Sequence, residues 1–458
     1  MDDLTAASRH RTGRWIEHWE PEDEQFWATT GRKVARRNLI FSIFAEHLGF
    51  SMWLLWSVVV VSLPKAGFDF SVDQLFWLVA LPNLVGSFMR LPYTVAVAKF
   101  GGRNWTVVSA LLLFIPTTLL ALCVSDPGTP YWMFLVAAAT AGFGGGNFAS
   151  SMANISFFYP ERQKGSALGL NAAGGNLGVS VVQLLVPIVV VIGVGVHLEY
   201  AAYLWMPFIA LAAFLAWRFM DNLVVVKSRL RDQLVIAKRK HTWVMSVLYI
   251  GTFGSFIGYS AAFPLLIKTQ FPDVKAASFA FLGALVGSLS RPIGGWLSDK
   301  IGGARVTAVN FVAMGIGVFG VWQAVRAESF TAFLVSFLLL FVTTGVGNGS
   351  TYRMIPAIFR AQAEKGVNRL DEPAYAAALK AGRREAAAVL GFAGAVGAFG
   401  GFLIARGFGT SIAATGGVGF ALACFAGFYG LCLVLTWWYY LRQRVMVARA
   451  PSLAMAQV

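Results

Sequence analysis

Acidic side chains are scarce in this chain. It has 22 Asp and Glu among 458 residues, and 13% of it is charged, whereas soluble domains run to about 25%. Beside a hydrophobic content of 57%, that shortage excludes an ordinary water-soluble globule. Cysteine is scarcer still. Cys123, Cys424 and Cys432 all fall in apolar runs, which excludes a disulfide framework and a metal site and leaves packing as their role. No P-loop, HExxH or CxxC occurs, and the five histidines are scattered, so no metal, no cofactor and no enzymatic chemistry is expected. Residues 1–37 lack an early apolar core, so a signal peptide is not expected.

What the chain has is long apolar runs. About 20 such residues cross a bilayer core of about 30 Å. Twelve spans are expected, at 38–62, 73–98, 104–124, 130–158, 165–193, 200–219, 243–267, 276–298, 306–325, 329–358, 386–405 and 411–440. The formal charge is +15, but its placement points away from nucleic acid. Of the 37 Lys and Arg, 29 fall in or at the border of every second connecting segment, Arg218 at the end of 200–219 counted among them, 5 in the opposite loops and 3 farther within spans. Positive charge gathers on the cytoplasmic side of a membrane protein, so both termini are expected in the cytoplasm. Basic runs such as KSRLRDQ and AKRKH are then topology signals, with anionic lipid as a secondary partner.

The second half of the chain repeats the first. LVGSFMR at 84–90 returns as LVGSLSR at 285–291, 201 residues later. At the same offset Lys99 and Gly102 match Lys300 and Gly303, and Gly144 and Asn147 match Gly345 and Asn348. After a longer loop, Leu168, Gly169, Gly175 and Gly178 match Leu390, Gly391, Gly397 and Gly400. The expected architecture is therefore an all-α integral membrane protein built as two pseudo-symmetric six-helix bundles. The bundles are 38–219 and 243–441, with a cytoplasmic segment 1–37, a linker 220–242 and a tail 442–458. A parallel repeat of this kind places its site near the membrane midplane, at the repeat interface. The stretch GWLSDKIG at 295–302 resembles the loop signature of the major facilitator superfamily. The first half departs from it, with Ala98 where the second half has Asp299.

Each LVGSxxR copy puts an arginine nine residues before a cytoplasmic lysine. That is about 13.5 Å of helix, which sets Arg90 and Arg291 near midplane. A charge there costs roughly 2.5–3.5 kcal/mol on insertion scales. A buried acid, or helix carbonyls with water, would be a structural answer. Glu46 is the one acid clearly inside a span, and one acid does not neutralise two arginines. The functional answer is an anionic ligand. A planar, permanently charged, forked guanidinium suits a planar oxyanion. Arg353 lies near the cytoplasmic end of its span and reads as a topological or gating contact.

Span five opens GSALGLNAAGGNLGVS, with Gly165, Gly169, Gly174, Gly175 and Gly178. Span eleven carries Gly391, Gly394, Gly397 and Gly400. Small residues at such spacings let helices approach closely. Asn171 and Asn176 in span five either donate to an oxyanion or cross-link helices. NFASSMANISFFYPERQKGSALGLNAAGGNLG at 147–178, with WEPEDEQFW at 19–27 and TFGSFIGYSAAF at 252–263, resembles the nitrate/nitrite porter family, in its bacterial NarK-type branch. The resemblance covers nearly the whole chain. It implies nitrate and nitrite transport across the bacterial cytoplasmic membrane by rocker-switch alternating access, in a monomer embedded in the lipid bilayer. It further implies Arg90 and Arg291 as substrate arginines, hydrogen bonds from Asn176 and Tyr249, walls from Phe50, Phe148 and Phe253, and glycines that let spans five and eleven bend or slide.

Two couplings stay open. Nitrate and nitrite share one charge, so exchange through one site is the simpler mechanism. Glu46 and His47, adjacent in FAEHLGF, are the intramembrane titratable pair that proton symport would use, and a polar pair bonding to neighbouring helices is their structural reading. An anion channel with an arginine constriction is a rival from another class. A twofold repeat with glycine-rich helices favours alternating access.

Overall fold

In lipid a backbone must satisfy its own hydrogen bonds, so apolar runs become helices. The computed structural model of the chain describes residues 10–11, 14–225, 235–365, 367–368, 370–443, 452–454 and 458. The KSRLRDQ run, the middle of the 220–242 linker and most of the tail lie outside the described residues. Eleven described helices are long and apolar enough to cross a membrane. The remaining span of the sequence reading, 130–158, is built as two helices, Tyr131–Ala141 and Phe143–Phe158. The break falls at Gly142, in a glycine run packed against neighbouring backbone. A Cβ at Gly142 would lie 2.7 Å from the Gly86 nitrogen, and one at Gly144 would lie 2.1 Å from the Gly49 carbonyl oxygen.

Several helix ends differ from the sequence reading. The first span begins its α-helix at Arg32, reaches Trp53, and resumes as Trp56–Ser62. Span eleven runs Glu372–Thr415, 44 residues against the expected 386–405. Asp371 caps its start by accepting from the Ala374 N–H, and Gly416 ends it with φ +74, a conformation glycine adopts without strain. Residues 411–415, expected in span twelve, therefore belong to span eleven, and the last span begins at Gly419. Span seven contains a wide turn, Ile250–Gly254, between Lys240–Tyr249 and Ser255–Gln270.

The chain divides into two compact units, one of residues 1–70 and 81–230, the other of 71–80 and 231–458. Residues 71–80, the start of span two, group with the second unit. Asp73 there pairs with Arg406 of span eleven at 2.8 Å, and the Arg406 guanidinium lies 4.3 Å from the Trp77 ring centre.

In the first unit, Arg32–Trp53 packs on Glu161–Val189 and Phe143–Phe158. Gly178 sets the first contact, because its backbone meets the His47 carbonyl. A Cβ there would lie 2.2 Å from that oxygen. Ser51 fastens the crossing by donating to the carbonyls of His47 and Gly178.

One end of this unit is held by a buried carboxylate. Asp221 receives hydrogen bonds from Arg14, Arg37 and Asn38. Beside it Trp15–Ile16 pairs in parallel with Asn222–Leu223. The WEPEDEQFW stretch continues this clasp. The Trp19 indole donates to the Phe157 carbonyl at 3.0 Å, and Glu22 accepts the Glu161 N–H at 2.9 Å. An acid at a helix N-terminus satisfies an orphan donor and meets the positive end of the dipole. In the second unit, Asp299 of the GWLSDKIG stretch pairs with Arg353. The first half carries Ala98 and Met152 at those two positions, so neither member of that pair is present there.

Gly178→Ala is expected to destabilise the protein by about 1–3 kcal/mol, the range for overpacking. Gly169→Ala, whose added methyl meets nothing within 4 Å, is expected to leave stability unchanged. Thermal unfolding in detergent checks the pair, and equal midpoints for the two variants would remove the close-approach argument.

Candidate anion site

The two repeat-related arginines sit in similar surroundings, each inside its own unit. Arg90 lies in Val72–Phe100, a helix interrupted by Pro82 and Pro92, and is 1% exposed. Its Nε donates to the Gly145 carbonyl at 3.2 Å. The guanidinium carbon lies 4.6 Å from the Phe148 ring centre and 5.3 Å from Trp53. Phe50 meets Phe148 edge-on at 6.0 Å and Trp53 at 5.5 Å. Trp53 is itself held, its indole donating to the Pro82 carbonyl at 2.9 Å. The carbonyl and the ring faces are neutral groups. A cation–π contact contributes about 2 kcal/mol when desolvated, which offsets part of the insertion cost and adds no formal negative charge.

Arg291 lies in Ala280–Ile301, directly before Pro292, and is 6% exposed. Its guanidinium carbon is 5.5 Å from the Tyr352 ring centre. Tyr352 approaches Tyr249 at 6.4 Å, and Tyr249 stacks on Phe253 at 5.3 Å with 17° between planes. Tyr249 and Phe253 are both buried. A Cβ at Gly397 would lie 2.5 Å from the Tyr249 ring, so the span-eleven glycine gives that ring its seat.

The remaining sequence-singled residues divide. Asn176 is buried, and its amide oxygen makes no hydrogen bond among the described residues. Asn171 resolves toward cross-linking: its amide donates to Glu46 and to Ser151, each at 2.6 Å. His47 turns its Nδ1 to the Gly174 carbonyl at 3.0 Å. Gly174, Gly175 and Gly178 pack against the first span, and Gly397 and Gly400 against span seven. Gly169 and Gly391 meet nothing within 4 Å, Gly165 is exposed and Gly394 is buried. Arg353, read as a topological or gating contact, pairs with Asp299.

Three residues here were not picked out from sequence as site residues. Trp53 follows Phe50 by three positions, so it shares a helix face with it. Tyr352 precedes Arg353 in GNGSTYRMIP. Asn147 opens the NFASSMANIS stretch and is a repeated position, matched by Asn348. The signal for Asn147 was the repeat itself. Nothing short of the fold joins Tyr352 to Arg291. Among the described residues no cluster of His, Cys, Asp or Glu fit for a metal occurs.

These features can be set against known proteins. Residues 40–367 match the profile of the Major Facilitator Superfamily. The nitrate/nitrite transporter NarU of Salmonella typhimurium is 44% identical over 96% of this chain and 99% of its own length. A protein of Thermus thermophilus named probable nitrate/nitrite antiporter NarK2 is 38% identical over 94% of this chain and 97% of its own length. Among solved structures, the partially occluded inward-open xylose transporter XylE from E. coli superposes with a TM-score of 0.63 at 14% identity, over 88% of this chain and 97% of that one. That likeness concerns the fold alone. All-helical, multi-pass and matched over nearly its full length, the chain belongs to the nitrate/nitrite porter family of the major facilitator superfamily.

Proposed function

We propose that this protein is a secondary transporter that carries nitrate and nitrite by alternating access, exchanging one for the other. It is a multi-pass protein of the bacterial inner membrane. The observation that carries the reading is the pair of repeat-related buried arginines, each set against aromatic rings, in a chain whose full-length relatives bear the names nitrate/nitrite transporter and nitrate/nitrite antiporter. In this reading each half contributes one guanidinium to a single monovalent anion, and Asn176 and Tyr249 add hydrogen bonds. Phe50, Phe148 and Phe253 wall the anion.

Counting the interrupted pair Tyr131–Ala141 and Phe143–Phe158 as one span makes twelve, arranged as bundles 38–219 and 243–441. The placement of Lys and Arg then puts both termini in the cytoplasm. The transport unit is one chain. Closing a dry site over two guanidinium groups costs more without an anion than with one. Reorientation therefore requires a bound anion, and an anion carried in must be matched by one carried out. The twofold repeat also favours a moving carrier over a static pore.

Arg90→Lys and Arg291→Lys are each expected to lower nitrate transport by at least about tenfold, the cost of one charge-assisted hydrogen bond. The charge survives in lysine but the fork does not. Wild-type nitrate affinity in both variants would defeat the clamp. Uptake of labelled nitrate into proteoliposomes tests the coupling. Vesicles loaded with nitrite are expected to take up nitrate, and empty vesicles under an inward proton gradient are not. Accumulation in the empty vesicles would replace exchange with proton symport.

A further inference from the structure

We infer that a cleft at the start of span seven is a binding site for an anionic phospholipid, whose phosphate headgroup sits among Lys238, Lys240 and Lys365. The inference concerns the membrane around the protein and does not depend on which anion is carried.

The cleft lies wholly within the second unit and measures about 620 Å³. Small-ligand sites occupy about 300–1,000 Å³. It is formed by residues 238–241, by the last turn of Phe330–Glu364 with Lys365 beyond it, and by residues 378–385 of Glu372–Thr415. That part of span eleven precedes the apolar run expected at 386–405. Its side chains toward the cleft are small, Ala378, Ala381 and Gly382 among them. Gly382 brings the two helices close, since a Cβ there would lie 2.7 Å from the Cβ of Ala363. Tyr375 fastens the extension to span ten by donating to Glu364 at 3.0 Å. The walls are therefore packed helices.

The charge of the cleft is positive. Arg239 pairs with Glu385, and both line it. Lys238, Lys240 and Lys365 line it as well, three charges in excess of that pair. His241 turns its Nδ1 to the Tyr440 hydroxyl at 3.0 Å. The gathering of Lys and Arg on one side of a membrane accounts for the sign of these residues. It does not account for lysines from two separate segments meeting in one cavity. Ammonium groups hold phosphate as point charges, and basic pockets between membrane helices take anionic head groups.

A lipid, rather than a soluble phosphate, fits what lies beside the cleft. Lys240 opens span seven. Trp243, three residues on, is 50% exposed and meets Phe392 of span eleven edge-on at 5.3 Å. Its indole donates to the Ala237 carbonyl at 2.7 Å, so its polar edge is turned toward the basic segment. Tryptophan in that posture is a residue of the membrane–water interface. The Arg239–Glu385 and Trp243–Phe392 contacts run down one seam between spans seven and eleven, charged at the mouth and apolar below. A phospholipid has the same order, phosphate above acyl chain. A soluble phosphate would leave the apolar part unused. Trp243 lies six residues before Tyr249, about 120° round the helix, so the seam is off the face that carries Tyr249.

Native mass spectrometry of the full-length protein in a neutral detergent reads bound lipid directly. Phosphatidylglycerol is expected to stay on the protein at concentrations at which phosphatidylcholine does not. Lys238→Gln, Lys240→Gln and Lys365→Gln together should weaken that binding by about a hundredfold, about fivefold for each charge. Arg32→Gln, Lys33→Gln and Arg36→Gln together remove three exposed charges from the start of the first span and should leave it unchanged. Ala378→Trp keeps every lysine and fills the cleft, so it should displace the lipid even if the lysine variant fails to insert. Equal losses in the two triple variants, wild-type retention in Ala378→Trp, or equal retention of the two lipids overturns the inference. Inorganic phosphate is the remaining arm. It is expected to leave the lipid bound, and a protein that holds phosphate but no phosphatidylglycerol overturns the lipid assignment. None of these outcomes bears on nitrate transport, which is read separately.

Discussion

A guanidinium that never loses its charge, held where the dielectric is low, is the constraint around which this protein is built. Arg90 and Arg291 are both nearly fully buried. A charge placed near the centre of a membrane span costs several kcal/mol on insertion scales, and more in simulations. The structure sets ring faces against both guanidinium groups and a backbone carbonyl against the Arg90 Nε. Such neighbours orient the fork and moderate its cost. The aromatic walls depend on the glycines in turn, since the Tyr249 ring occupies the space that a side chain at position 397 would fill.

The two halves share this plan and differ in how their helix ends are fastened. The second half uses the Asp299–Arg353 pair. The first half lacks both partners and gathers Arg14, Arg37 and Asn38 on Asp221, with the preceding segment laid across the start of span five. A buried carboxylate is tolerable only when it is well paired, and Asp221 has two guanidinium partners. This clasp holds the first turn of the helix that carries Asn171, Gly174, Gly175, Asn176 and Gly178.

Much of this was legible in the sequence because membrane helices announce themselves by length and hydropathy. The repeat aligned the arginines, and both are buried against aromatic rings. The glycines of span five that face the first span, and the cross-linking option for Asn171, followed from residue type and spacing. Helix ends were less legible. An apolar run does not say where a cap or a left-handed glycine stops it, so Thr415 fell to the wrong span and the break at Gly142 passed unseen. The aromatic partners were the least legible. With 38 phenylalanines in the chain, composition does not select Phe148, and only the packing of separate helices brings Tyr352 to Arg291. The WEPEDEQFW stretch served as a family mark in the sequence, and its physical role as a helix clasp emerged only from the fold.

The helix Glu372–Thr415 is 44 residues long, which makes it about 66 Å of continuous rod against a hydrocarbon core of about 30 Å. A rod of that length is a lever. A tilt of about 10° around its middle sweeps either tip through about 6 Å on that length. Arg406 is anchored to Asp73 toward one end, and Lys380, Arg383 and Arg384 ride at the other. The Tyr249 ring seats on Gly397 near the middle of the rod, so the rod's length would turn a small tilt at that seat into a large displacement of its basic tip.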